Sequence, residues 1–201
     1  SIGGNHLLHV LRRNLQLKIL LFNNRIYGLT KGQYSPTSEV GKVTASTPFG
    51  SVDRPLNPTS VAAGAEAAFI ARTVDVYAKH LQATLVQAHA FKGTAFIEIW
   101  QNCNIFNDKT FGDHTDKAVK DDKLLFLEHG EPMIFGKDSD KGIKMDGARP
   151  TVVSLAEGAA TSDLLVHDAQ SVDPSLAFML SRFDELPDLP APMGVFRSVE
   201  R

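Results

Sequence analysis

The segment Leu17-Lys18-Ile19-Leu20-Leu21-Phe22, apolar throughout except at Lys18 and stopped by Asn23-Asn24, constrains the fold more than any other feature of this sequence. A strand with one wet face alternates apolar and polar residues, whereas a strand covered on both faces reads as a continuous apolar run. The run therefore predicts a short, doubly buried strand of a parallel sheet. Before it, Leu7, Leu8, Val10 and Leu11 recur at helical spacing over Asn5 to Asn14, with Arg12 and Arg13 at the end where cations suit the helix dipole. After it, Asn57-Pro58 supplies an N-cap followed by proline at the first helical position, and the small residues Ala62 to Ala68 fit a closely packed helix. Phe69 to Val74 reads as a strand, Tyr77 to Phe91 as an amphipathic helix with Leu81, Leu85 and Ala88 on one face, and Thr94 to Trp100 as a second buried strand. Helix alternating with strand predicts an α/β fold, an open parallel sheet with helices on both faces. Ligands in such sheets gather beyond the carboxyl ends of strands, where Asn23-Asn24 and Gln101-Asn102-Cys103 fall.

The pattern changes after Asp108. A stretch rich in Asp and Lys runs to Lys123, short apolar pieces follow at Met133 to Phe135 and Thr151 to Leu155, and Asp173-Pro174 caps a last helix containing Leu176, Phe178, Met179 and Leu180. Met193 to Phe196 adds an edge strand. The expected organisation is an α/β domain over 1–108 and a small β-rich extension over 109–201 packed on it.

Composition narrows the class of function. With 201 residues and 43% hydrophobic content the chain can bury one substantial core. Lys and Arg total 21 against 23 for Asp and Glu, so no net positive field is available for nucleic acid or an anionic membrane. No apolar run approaches the roughly 20 residues of a spanning helix. One cysteine excludes an internal disulfide and fits a reducing cytoplasm. Ser1 opens straight into a patterned segment with no charged leader, the look of a truncated start. Small molecules and protein partners are the expected ligands.

The long segment from Asn24 to Pro58, rich in Gly, Pro, Ser, Thr and Asn, carries the densest chemistry. Taken residue by residue its signals are weak. Asn-Asn after a strand is an ordinary turn, an isolated Lys31 reads as a solvated loop lysine, and the lone Cys103 reads as a small buried hydrophobe. His6 and His9 stand three apart on a helix without a third ligand and read as a helix face, although His6 follows a possible phosphate turn at Gly3. Glu98, in an apolar strand, calls for an interface or a hydrogen-bond partner, and Glu66 also stands in an apolar segment. Asp113-His114 and Asp121-Asp122 read as solvated. No Ser-His-Asp arrangement and no phosphate-binding loop with Lys-Ser or Lys-Thr is present.

The longer strings say more. Ser1-Ile2-Gly3-Gly4-Asn5-His6, then Asn23-Asn24-Arg25-Ile26-Tyr27-Gly28-Leu29-Thr30-Lys31-Gly32-Gln33-Tyr34-Ser35-Pro36-Thr37, and further on Asn102-Cys103-Asn104, resemble the beta subunit of the 2-oxoglutarate:ferredoxin oxidoreductases, in the second half of the thiamine-diphosphate motif. The resemblance implies thiamine diphosphate with Mg²⁺ held by the Asn24 side chain and the Ile26 carbonyl, with Gly28, Leu29 and Thr30 along the diphosphate. Oxygen donors suit this hard cation. It implies that Lys31 recognises the 2-oxoacid and that Cys103 is one ligand of a 4Fe-4S cluster, which needs four. The Asp completing the Mg²⁺ site, between two glycines, and three further cysteines would then lie upstream of Ser1. The implied reaction oxidatively decarboxylates 2-oxoglutarate with coenzyme A to succinyl-CoA and CO₂, with ferredoxin taking the electrons and an alpha subunit completing the enzyme. Pyruvate or broad specificity is the neighbouring alternative, and a partner-binding module without catalysis is the alternative of another class.

Overall fold

The computed structural model describes residues 3–200, so Ser1 and Ile2 of the resembling string lie outside the described residues. The elements follow the expected alternation: α1 (Gly4–Arg13), β1 (Lys18–Asn23), the short pair β2 (Ile26–Tyr27) and β3 (Gln33–Tyr34), α2 (Pro58–Gly64), β4 (Phe69–Val74), α3 (Ala78–Ala90) and β5 (Ala95–Trp100). Two single-turn helices follow, α4 (Gly112–Thr115) and α5 (Lys120–Lys123), then β6 (Leu124–Leu127), β7 (Ile134–Phe135), β8 (Lys141–Asp146), β9 (Arg149–Ser154), α6 (Ser175–Ser181) and β10 (Ala191–Ser198).

The central sheet has the order β1-β5-β4-β10-β6. β1 with β5, β5 with β4, and β10 with β6 pair in parallel, while β10 runs antiparallel to β4. One face is covered by α1, α2 and α6, whose Leu11, Ala62, Ala63, Ala177 and Leu180 pack on Ile70, Phe96 and Phe196. The opposite face is covered by α3, where Ala88 and Leu81 meet Phe69, Ala71, Ala95 and Ile97. Each fully buried Phe or Ile of this double layer stabilises the fold by about 1.5–3 kcal/mol. Asn57 caps α2 as its sequence predicts: Oδ1 accepts from Ser60 N–H at 2.9 Å, and Nδ2 donates to the Ser181 carbonyl at 2.7 Å, tying α2 to α6.

Two expectations are corrected. Met193 to Phe196 is not at an edge, because β10 is bonded on both sides, to β4 and β6, and alternation alone cannot say how many neighbours a strand has. Conversely, β1 forms an edge of the sheet, and Leu20 and Phe22 are 42% and 59% exposed because α3 lies over β4 and β5 and leaves that face of β1 open. The segment after Asp108 therefore contributes two strands to the central sheet, and its β7-β8-β9 meander forms a separate three-stranded sheet.

Candidate functional site

The chain turns sharply where β1 ends. Asn23 Oδ1 accepts from Arg25 N–H at 3.2 Å and Asn24 Oδ1 accepts from Ile26 N–H at 3.3 Å, two overlapping side-chain turns of the kind asparagine forms at strand ends. Arg25 sits in the left-handed region at φ 54°, unusual for a non-glycine residue. The Ser38 hydroxyl donates to its carbonyl, and its guanidinium stacks over Phe111 at 4.4 Å. Asn24 is half-buried, and its Nδ2 donates to Gln101 Oε1 at 3.3 Å, which leaves a second lone pair on its amide oxygen. Ile26 is buried beneath the turn, at 5% exposure.

β2 and β3 form a hairpin whose tip is Gly28, Leu29, Thr30, Lys31 and Gly32. Gly28 carbonyl accepts from Lys31 N–H at 3.0 Å, Tyr27 carbonyl accepts from Gly32 N–H at 3.0 Å, and the Thr30 hydroxyl donates to the same Tyr27 carbonyl at 3.3 Å. Gly32 is at φ 102°, a conformation that only glycine adopts without strain. Leu29 and Lys31 are exposed at the tip. The hairpin rests on Phe106: a Cβ at Gly32 would come within 3.4 Å of that ring and one at Gly28 within 3.8 Å.

Phe106 belongs to the loop after β5, which also carries Cys103, a half-buried free thiol. Asn107, unnoticed in the sequence, joins this loop to the β1 turn. Its backbone N–H donates to the Cys103 carbonyl at 2.9 Å, its Nδ2 donates to the Asn24 carbonyl at 3.0 Å, and its Oδ1 accepts from Lys42 Nζ at 2.6 Å. The fold thus brings Asn24, Ile26, the Gly28–Lys31 tip and Cys103 to one end of the sheet. His6 and His9 are exposed on α1, and no cluster of three or more His, Cys, Asp or Glu is present among the described residues. Asp121 and Asp122 pair with Lys120 and Lys141. His114 is less solvated than expected: it packs edge-on against Trp100 at 5.5 Å, and burial lowers its pKa.

Beneath the turn lies a buried charge network. Glu98 and Arg72 face each other in register across β5 and β4, each 1% exposed. Glu98 Oε2 accepts from Arg72 Nε at 2.8 Å and from the Thr59 hydroxyl at 2.7 Å, while Oε1 accepts from Asn23 Nδ2 at 2.8 Å and Trp100 Nε1 at 3.3 Å. Arg72 also donates to Asp184 at 3.0 Å. Burial pushes the Glu98 pKa up, but Arg72 and the hydrogen bonds from Thr59, Asn23 and Arg72 outweigh it and hold the carboxyl below its ordinary range. For Arg72, burial is likewise outweighed, by Asp184 and Glu98, and its pKa is raised. The hydrogen-bond partner expected for Glu98 is therefore present. A cavity of about 430 Å³ opens beside it, lined by Arg25, Thr37, Arg54, Arg182 and Asp184 among others. The sequence signal that could have found the pair was one charge, of opposite sign, at the fourth position of each apolar strand.

Residues 1–99 match the family model described as the C-terminal TPP binding domain of thiamine pyrophosphate enzymes. Over its whole length the chain is similar to beta subunits of the 2-oxoacid:ferredoxin oxidoreductases. It is 49% identical over all 201 residues to the 2-oxoglutarate oxidoreductase subunit KorB of Mycobacterium tuberculosis, covering 53% of that relative. Over 119 residues, 59% of this chain and 39% of the relative, it is 37% identical to the 2-oxoacid:ferredoxin oxidoreductase subunit beta of Saccharolobus solfataricus. The solved 2-oxoglutarate:ferredoxin oxidoreductase of Magnetococcus marinus, with 2-oxoglutarate, coenzyme A and succinyl-CoA bound, shares the fold at a TM-score of 0.69 and 24% identity, over 100% of this chain and 53% of that one. The chain spans about half the length of the Mycobacterium and Magnetococcus proteins. No helix among the described residues is long and apolar enough to cross a membrane.

Proposed function

We propose that this chain is the diphosphate-binding part of a 2-oxoglutarate:ferredoxin oxidoreductase beta subunit, acting with an alpha subunit in a reducing cytoplasm. The reaction is the oxidative decarboxylation of 2-oxoglutarate with coenzyme A to succinyl-CoA and CO₂, the electrons passing through a 4Fe-4S cluster to ferredoxin. The observation that carries this reading is the Asn24–Ile26 turn at the carboxyl end of β1, with Asn24 half-buried, in a chain related over its whole length to KorB.

The donors fit the group. Asn24 Oδ1 and the Ile26 carbonyl are neutral hard oxygens of the kind Mg²⁺ prefers and would hold the ion that neutralises the diphosphate. Gly28, Leu29 and Thr30 would line the diphosphate, Lys31 would offer an ammonium to the substrate carboxylate, and Cys103 would offer one of the cluster's thiolates. Thiamine diphosphate, when bound, supplies the carbanion chemistry. The residues here fix the turn, satisfy its backbone and present the tip. The Saccharolobus relative carries a broader 2-oxoacid name, which keeps pyruvate or broad specificity as the second reading.

The test uses the full-length subunit with its partner. Thiamine diphosphate is titrated with and without Mg²⁺, and 2-oxoglutarate and pyruvate are compared as electron donors to ferredoxin. Mg²⁺-dependent binding that Asn24→Ala weakens by about 10–100-fold, with the fold retained, is expected. Cofactor binding unchanged by Asn24→Ala overturns the site, absence of binding in the wild-type complex favours a non-catalytic partner-binding module, and equal turnover of both acids favours the broad-specificity reading.

A further inference from the structure

The Asn23 amide has only one orientation available to it. Its neighbour on one side is the Glu98 carboxylate, which only accepts hydrogen bonds, so the nitrogen must face Glu98 and the oxygen must face the other way. On that other side two donors converge on Oδ1, the Thr37 hydroxyl at 2.7 Å and the Arg25 N–H at 3.2 Å. Glu98 is itself immobilised by Arg72 and Thr59. Asn23 is 7% exposed, so no water competes freely for these bonds.

We propose that Glu98 is a positioning residue for the cofactor site: through the Asn23 amide its carboxylate holds Arg25 in the left-handed turn that places Asn24 Oδ1 and the Ile26 backbone side by side. The inference rests on the cofactor reading above and adds a residue and a path to it. At 1% exposure Glu98 acts through the Asn23 amide. It sets the direction in which the strand-end turn presents its oxygens.

The geometry specifies a donor–acceptor swap as the test. In Glu98→Gln the new amide must keep its oxygen on Arg72 and Thr59, which leaves its nitrogen facing two donors, Asn23 Nδ2 and Trp100 Nε1, of which only Asn23 leads to the turn. The Asn23 amide then flips, and the Arg25 N–H faces a donor instead of an acceptor. Adding Asn23→Asp restores an acceptor on both sides. In the full-length subunit with its partner, Glu98→Gln is expected to weaken Mg²⁺-dependent thiamine diphosphate binding by about 10–100-fold, as loss of outer-shell support does at metal sites. The double variant Asn23→Asp with Glu98→Gln is expected to recover most of that loss. Asp184→Asn removes a carboxylate from Arg72 without touching Asn23, and is expected to lower the melting temperature while leaving cofactor affinity within about threefold. If Glu98→Gln does not fold, Thr37→Val removes one of the two Asn23 bonds from a half-exposed position, with an expected loss of about 2–10-fold.

No recovery in the double variant, or affinity that tracks melting temperature across Glu98→Gln and Asp184→Asn alike, overturns the proposal and leaves Glu98 a purely structural carboxylate. If the wild-type complex binds and Glu98→Gln binds equally well, only this inference fails. If the wild-type complex does not bind, the cofactor reading fails and this one with it.

Discussion

Arg72→Met is the most incisive single change to the fold. Arg72 is 1% exposed and bridges Glu98 at 2.8 Å and Asp184 at 3.0 Å, whose side chains are 2% and 10% exposed. At such burial, solvent screening is slight, and removing one partner strands the others. Breaking a buried pair in this way costs about 3–5 kcal/mol. The methionine refills part of the volume, but contacts of the guanidinium with Trp100 at 5.1 Å and Phe196 at 5.5 Å are also lost. For a chain of this size about 1 kcal/mol shifts the melting temperature by about 2–4 °C, so a fall of about 6–20 °C is expected by calorimetry. The pH dependence carries the mechanism. In the wild type the folded pKa of Glu98 is depressed, so its contribution is present above the unfolded carboxyl value and is lost as pH falls through the folded one. Without Arg72, burial dominates and the folded pKa rises above the unfolded value. Stability is then retained at low pH and lost as pH rises through the new folded value, so the deficit of the variant is greatest at neutral pH and shrinks toward about pH 5. Glu98→Gln in the Arg72→Met background should return part of the loss. A deficit below about 1 kcal/mol, or one that grows on acidification, refutes the reasoning.

Two further outcomes follow from the same structure. Asn107→Ala leaves the Asn24 carbonyl without its side-chain donor and Lys42 with Glu39 alone, and urea denaturation should show a loss of about 1–3 kcal/mol; a change under about 0.5 kcal/mol would mean that water replaces the amide. Asn57→Ala removes the α2 cap and its ties to Ser181 and Glu185, with an expected loss of about 1–2 kcal/mol in the same assay, whereas Asn57→Ser, which keeps an accepting oxygen without adding an anion beside Glu185, should recover the capping part.

The sequence by itself determined the elements and the place of the chemistry. The mostly apolar runs at Phe69 to Val74 and Thr94 to Trp100, each broken by one charge, read as buried strands, Asn57-Pro58 as a helix start and Asn23-Asn24 as a strand end, because these patterns are satisfied locally by periodicity, capping and turn chemistry. The strings around Asn24 and Cys103 pointed to the family, which 49% identity to KorB over the 201 residues of this chain bears out. Tertiary structure alone decided that Met193 to Phe196 enters the middle of the sheet and that β1 is left at its edge, since neighbour number depends on which strand arrives from elsewhere in the chain. It also decided the pairing of Arg72 with Glu98 across 26 residues and the bridge of Asn107 from Cys103 to Asn24, 83 residues away. No local rule encodes such contacts. A buried charge or amide declares that it needs a partner, and only the packed chain says which one.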